Sequence, residues 1–109
     1  MGEGLGEFEQ LVLLALLRIG EEAYGVTVHQ ELEARTGRDV ALGAVYKTLA
    51  RLEAKGLIAA RLGEPTAERG GRRKRHYLVL ATGRHALARS LAALRRMTTG
   101  VDVLPEGAT

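Results

Sequence analysis

The chain has no cysteine, no tryptophan, two prolines and one phenylalanine among its 109 residues. Without cysteine, disulfides, thiolate catalysis and thiolate metal sites are excluded, which fits a reducing cytoplasm. The longest strongly apolar run, residues 11–17, is far shorter than the ~20 residues that a membrane-spanning helix needs. No basic leader precedes it, so we expect a soluble cytoplasmic protein with no membrane partner.

Size and residue types also restrict the possible functions. A chain of 109 residues fits one domain and is too short for two lobes around a large active-site cleft. His29, His76 and His85 are too scattered to suggest a metal site, and no nucleophile, general base and orienting group occur together. We therefore expect no enzymatic activity, no metal site and no cofactor.

A concentrated group of cations is the most informative feature that the chain does contain. Residues 68–77 read Glu-Arg-Gly-Gly-Arg-Arg-Lys-Arg-His-Tyr, although the net charge of the whole chain is only +3. Such a segment is typical of polyanion binding, where each neutralised phosphate releases counterions. The alternative is a solvated charged turn. The candidate contacts are Arg69, Arg72, Arg73, Lys74 and Arg75.

Hydrophobic periodicity predicts a mainly α-helical fold with a small β-hairpin. The expected helices span residues 7–19, about 25–35, about 42–55 and 82 to about 97, and the expected strands span 57–62 and 76–80. The long glycine-containing loop between the strands is a wing. We therefore expect a flexible tail over 1–6, a winged helix-turn-helix domain over 7–80, a dimerisation helix over 81–98 and a second flexible tail over 99–109.

Two local features allow two interpretations, and a third is expected to cap a helix. Glu7 and Glu9 could form an acid/base pair, but carboxylates at the start of a helix are favoured by its dipole. The Gly70-Gly71 pair could hold a phosphate, but no helix start and no Lys-Ser/Thr partner follow it. Thr82 is the expected N-cap of the last helix.

The third helix has the pattern of a DNA recognition helix. Val45, Leu49 and Leu52 share one face, and small residues and cations occupy the other. Small residues permit close approach to a major groove, and cations reach phosphates and guanine edges. The candidate DNA-contacting residues are Gly43, Ala44, Tyr46, Lys47 and Arg51.

Two helices have more apolar surface than a chain of this length is expected to cover. The first helix is apolar almost all round, and the last has a leucine seam that could pack on its own domain or on a second copy. We expect a homodimer. Its candidate interface residues are Phe8, Leu11, Val12, Leu87, Leu91 and Leu94.

Several short motifs occur together in a recognisable order. They are the apolar start at 8–17, Ala-Tyr-Gly-Val at 23–26, Gly-Ala-Val-Tyr at 43–46 leading into 49–58, Gly-Arg-Arg-Lys-Arg-His-Tyr at 71–77 and Ala-Thr-Gly at 81–83. In this order and spacing the chain resembles the PadR-like winged-helix transcriptional regulators over residues 5–97. The resemblance implies a homodimer, usually a repressor, on an inverted-repeat operator of double-stranded DNA. It also implies that the third helix enters the major groove, that the wing contacts the minor groove or phosphates, and that Tyr46 faces the DNA backbone.

The chain departs from this family pattern at three places. Lys47 stands where a proline commonly follows the tyrosine, Gly-Gly-Arg-Arg replaces the frequent Gly-Arg-Pro, and the single C-terminal helix is typical of the short branch. Short members can hold planar hydrophobic effectors between aromatic side chains, but here only Phe8 and three tyrosines are available. The rival hypothesis is a winged-helix module whose basic wing binds an acidic partner protein.

Overall fold

Four α-helices and one β-hairpin make up the described structure. The computed structural model describes residues 4–65 and 73–103, with the backbone alone at positions 64, 65 and 73. The elements are α1 (Glu7–Ile19), a 3₁₀ turn (Gly20–Glu22), α2 (Gly25–Thr36), α3 (Leu42–Ala54), β1 (Ile58–Pro65), β2 (Arg73–Val79) and α4 (Ala81–Thr98). The predicted fold class, mainly helical with a small hairpin and a C-terminal helix, is confirmed. No described helix is long and apolar enough to cross a membrane.

The core forms where the apolar faces of all four helices meet the hairpin. α1, α2 and α3 contribute through residues spaced three or four apart, which lie on one side of a helix, and α4 contributes Leu87. The buried hydrophobic residues of the core are Val12, Leu13, Ala15, Leu16, Ala23, Val28, Leu32, Val45, Leu49, Leu52, Ile58, Tyr77, Val79 and Leu87.

Two residues predicted at a dimer interface belong to this core. Val12 is 0% exposed and Leu87 is 4% exposed in the single chain. The prediction is therefore wrong at these two positions, because α4 packs on α1 within the same chain. Phe8 and Leu11 are only partly buried, so α1 keeps some apolar surface.

The hairpin is longer than predicted and is joined to the segment before α2. β1 pairs antiparallel with β2 from Ile58 opposite Val79 to Pro65 opposite Arg73, with a register shift between Leu62 and Pro65. The other edge of β2 is also paired, because the Tyr77 amide donates to the Ala23 carbonyl at 2.9 Å. The hairpin is thus fixed to the helical body at its base.

The described structure differs from the predicted N-terminal tail at one residue. Leu5 packs against the core and accepts a hydrogen bond from the Gln10 side chain at 3.0 Å, so the tail prediction for 1–6 is wrong at this residue. The Val101 amide donates to the Thr98 carbonyl at 3.0 Å. Residues 1–3 and 104–109 lie outside the described structure.

The start of α4 differs in its capping. Leu80 precedes the first helical residue, and Thr82 lies inside the helix with its hydroxyl donating to the Gly56 carbonyl at 2.6 Å. The N-cap prediction for Thr82 is therefore wrong. Gly83 is buried, and a β-carbon there would overlap the Leu57 carbonyl. Glycine thus lets α4 cross close to the base of the hairpin.

Candidate nucleic-acid interface

The turn between α2 and α3 is held by side chains of α2. Gly37 ends α2 in the left-handed conformation, with φ 72°, and its amide donates to the Glu33 carbonyl at 3.0 Å. The Glu33 carboxylate accepts from the Val40 amide at 3.0 Å, and the His29 ring donates to the Val40 carbonyl at 2.6 Å. These contacts fix α3 relative to α2, as a helix-turn-helix requires.

α3 has one buried face and one exposed face, as the sequence predicted. Val45, Thr48, Leu49 and Leu52 are buried. On the opposite side, Gly43, Tyr46, Lys47 and Arg51 are exposed, and Ala44 is half-buried. The candidate recognition residues therefore share an accessible surface, with Ala44 at its margin.

Tyr46 is positioned by α2. Its ring lies against Gly25, where a β-carbon would overlap the ring carbons and hydroxyl, yet the residue is still 46% exposed. Only glycine at position 25 permits this contact. Tyr46 thus lies at the junction of α2, α3 and the surface.

Lys74 of β2 lies over Tyr24, the residue that precedes α2. Its Nζ is 3.2 Å from the Tyr24 hydroxyl and 4.5 Å from the centre of the Tyr24 ring. The Tyr24 ring in turn meets His76 edge to face, with 5.6 Å between ring centroids. Because Tyr24 is neutral, Lys74 keeps a net positive charge in this arrangement.

Arg75 makes a different kind of contact. Its Nη2 lies 3.1 Å from Oε1 and 2.9 Å from Oε2 of Glu53 in α3. The hydrogen bond and charge of Glu53 raise the pKa of Arg75, whereas burial raises the pKa of Tyr77 against the opposing effect of Arg75. Sequence reasoning missed Glu53, although it lies seven residues after Tyr46 and so on the same side of α3.

The remaining predicted wing contacts are not brought together by the described structure. Arg69 and Arg72 lie outside the described residues, and Arg73 is described by its backbone alone, opposite Pro65. Of the five predicted wing cations, only Lys74 and Arg75 have described side chains. Only Lys74 has an uncharged partner.

An apolar strip follows the exposed side of α4 toward its C-terminal end. Leu91 is 37% exposed, Leu94 53% and Met97 76%. Val101 and Val103 continue it beyond the helix and are also exposed. Thus Leu91 and Leu94, unlike Leu87, present apolar surface outside the core of the single chain.

A groove between α1 and α2 is a candidate site for a small ligand. Its volume is about 260 Å³, and it is lined by Leu11, Leu14, Ala15, Arg18, Glu31, Leu32, Arg35 and Thr36. None of these side chains is aromatic, so the groove lacks the stacking surfaces on which the effector hypothesis depends. Within residues 4–65 and 73–103, no cluster of three His, Asp or Glu side chains could hold a metal ion.

Comparison with known proteins gives one family match. The family model described as "Transcriptional regulator PadR-like family" matches residues 13–89, which is more than half of the chain. Among curated proteins, no sequence matches significantly.

Solved structures of the same kind are similar over nearly the whole chain. A PadR-like transcriptional regulator from Bacillus cereus has a TM-score of 0.69 at 24% identity, covering 93% of each chain. A PadR family transcriptional regulator from Eggerthella lenta has a TM-score of 0.66 at 26% identity, covering 94% of this chain and 88% of its own. A PadR family transcription regulator from Clostridium difficile has a TM-score of 0.68 at 20% identity, covering 84% and 92%.

Proposed function

Since the chain belongs to the PadR-like family of transcriptional regulators, we propose that it binds double-stranded DNA sequence-specifically as a homodimer. In this proposal it is a cytoplasmic repressor that binds an inverted-repeat operator. The observation that carries the proposal is the exposed cationic face of α3, which lies beside the basic strand β2. In this proposal α3 enters the groove and β2 lies over the flanking phosphates.

The exposed face of α3 supplies the contacts that recognise the DNA sequence. A β-carbon added at Gly43 would meet no atom within 4 Å, so a duplex can approach the start of α3 closely. Lys47 and Arg51 are exposed, and no carboxylate of the described residues forms an ion pair with either. Their charged groups are available for guanine edges and phosphates. Tyr46 and Ala44 flank them.

The wing supplies affinity that does not depend on sequence. Lys74 keeps its positive charge beside Tyr24, and the predicted contacts Arg69, Arg72 and Arg73 all precede it in the sequence. Each phosphate that these cations neutralise releases counterions and so strengthens binding at low salt. Arg75 is left out of this set because Glu53 neutralises it.

The homodimer part of the proposal rests on apolar surface. Leu91 and Leu94 of α4 are exposed, and Phe8 and Leu11 of α1 remain partly buried. A two-fold pairing through these residues would remove this surface from water. It would place the two copies of α3 about 34–36 Å apart, the spacing of successive major grooves on one side of DNA.

Selection of bound duplexes from a random pool tests the proposal. We expect the unaltered protein to enrich a pseudo-palindromic sequence and to shift that duplex but not a scrambled one. Lys47→Ala or Arg51→Ala should relax the preference, since each good base contact contributes about 1–3 kcal/mol of discrimination. Arg84→Ala, which removes an exposed cation of α4, is the matched control.

Two outcomes contradict the proposal. If the unaltered protein enriches no sequence, it does not bind DNA sequence-specifically, and an acidic partner protein becomes the better hypothesis. If Lys47→Ala and Arg51→Ala both select the original sequence, α3 does not read the bases.

A further inference from the structure

Two adjacent cations of β2 have partners of different charge. Lys74 contacts the neutral hydroxyl and ring of Tyr24. Arg75 contacts the Glu53 carboxylate through both of its oxygens, at 3.1 and 2.9 Å. Successive residues of a strand point to opposite sides, so one cation lies toward α2 and the other toward α3. The local net charge is therefore positive at Lys74 and zero at the pair of Arg75 and Glu53.

The pair formed by Arg75 and Glu53 contributes little to the stability of the fold. The Arg75 side chain is 51% exposed and that of Glu53 36% exposed. Ion pairs between such exposed groups generally add little to stability. The carboxylate must then matter mainly through its charge, which lies on the side of α3 that faces the wing.

We propose that Glu53 is an affinity-limiting residue, which neutralises Arg75 and so keeps it from adding sequence-independent affinity for phosphates. The proposal rests on the DNA-binding function inferred above. Counterion release depends on the net charge brought to the duplex, and a neutral pair releases none. A phosphate contact adds equally to the affinity for every sequence, so the pair lowers the affinity for all duplexes and leaves the discrimination between sequences unchanged.

The charge of Glu53 has a second effect on the same surface. If Arg75 left Glu53 to bind a phosphate, an unpaired carboxylate would remain beside the DNA. Repulsion between that carboxylate and the phosphates opposes the exchange. The pair therefore stays together when DNA binds. Lys74 thus contributes to the affinity for phosphates, and its neighbour Arg75 does not.

The salt dependence of binding tests this inference directly. Affinities for the selected duplex and for a scrambled duplex are measured over a range of salt concentrations, using the full chain. The variants are Glu53→Gln, Lys74→Gln and the double variant Glu53→Gln/Arg75→Gln, with circular dichroism to verify folding. Glu31→Gln is the matched control, because it also removes a carboxylate paired with arginine, but in the groove between α1 and α2.

The three variants have distinct expected results. Glu53→Gln frees the charge of Arg75, so the log–log salt slope for the scrambled duplex should become steeper by about one. The affinities for the selected and the scrambled duplex should rise by the same factor, so their ratio should stay unchanged. Lys74→Gln should make the slope shallower by about one, and the double variant should keep the original slope because it exchanges one neutral pair for another.

The outcomes separate this inference from the proposed function. A double variant whose slope is shallower by about one, as for Lys74→Gln, would show that Arg75 binds a phosphate in the unaltered protein. That result would overturn the role of Glu53, as would a Glu53→Gln slope equal to that of Glu31→Gln. If the unaltered protein does not distinguish the two duplexes, the proposed function itself is wrong.

Discussion

The ring of Tyr46 fills the space that a β-carbon of Gly25 would occupy. Gly25 is the first residue of α2, and Tyr46 lies on the exposed side of α3. The contact therefore joins the two helices of the helix-turn-helix at the surface that we propose faces DNA. Because Gly25 has no side chain, the ring of Tyr46 can lie against the start of α2.

Gly25→Ala should displace Tyr46 and weaken DNA binding while leaving the fold intact. The Tyr46 ring is half-exposed and can rotate away, and alanine is a better helix former than glycine by about 0.5–1 kcal/mol. We expect an unchanged or slightly higher melting temperature with lower affinity for the selected duplex. In a Tyr46→Ala background, Gly25→Ala should have no further effect on affinity. Additive losses would show that Gly25 acts independently of Tyr46.

Gly83→Ala should destabilise the fold, whereas Gly43→Ala should not. A β-carbon at Gly83 would overlap the Leu57 carbonyl, which is backbone and cannot rotate away. Forcing α4 from the hairpin should cost about 1–3 kcal/mol. Gly43 lies in α3 with open space around it, and alanine there should stabilise by about 0.5–1 kcal/mol. Urea denaturation of both variants measures the difference, and equal midpoints would contradict the assigned contact.

Glu9 should make stability depend on acidic pH. Burial alone would raise its pKa, but hydrogen bonds from Lys55 and the Gly6 amide and the charges of Lys55 and Arg51 lower it below 4.5. A lowered folded pKa means that this stabilisation is complete above the unfolded pKa and is lost as the pH falls through the folded pKa. Stability measured by urea denaturation should therefore decrease below about pH 4.5.

Lys55→Met isolates this effect. Its Nζ donates to Glu9 at 2.7 Å, and Glu9 is 6% exposed, so loss of the amine leaves a buried carboxylate without its main partner. We expect a loss of about 1–3 kcal/mol at neutral pH that becomes smaller in acid. Arg38→Met is the control, since it breaks an exposed pair with Glu7 and should cost less than about 1 kcal/mol. Equal losses in the two variants at neutral pH would show that burial of Glu9 does not matter.

Leu94→Asp should produce a folded monomer. Leu94 is 53% exposed in the single chain, so a carboxylate there is solvated in the monomer but would be buried in the proposed dimer. Light scattering should give the mass of one chain, with an unchanged helical signal and weaker binding to a two-half-site duplex. Leu87→Asp, at a position 4% exposed, should instead unfold the chain. An unaltered protein that is monomeric at micromolar concentration would refute the dimer.

The helices and the faces of α3 could be predicted because local periodicity determines them. Val45, Leu49 and Leu52 recur at helical spacing, and each is 0% exposed. The same reasoning failed for Val12 and Leu87, because apolar spacing identifies a face to be covered without showing what covers it. In this chain α1 and α4 cover each other.

Contacts between distant segments could not be predicted. Arg75 meets Glu53 only because of the strand register and the distance between β2 and α3, and neither is encoded by local spacing. Thr82 looked like an N-cap by its residue type, but the Gly56 carbonyl lies within reach of its hydroxyl. A polar side chain near a helix start has competing partners that only the folded chain reveals.

The hydrogen bond from the Tyr77 amide to the Ala23 carbonyl has a consequence for how the domain folds. It closes a loop that contains α2, α3 and β1. Closing so long a loop costs conformational entropy before the contact is gained, so we expect this pairing to slow the folding of the domain. Because Ala23 is 0% and Tyr77 9% exposed, we expect the amide proton of this bond to exchange slowly with solvent.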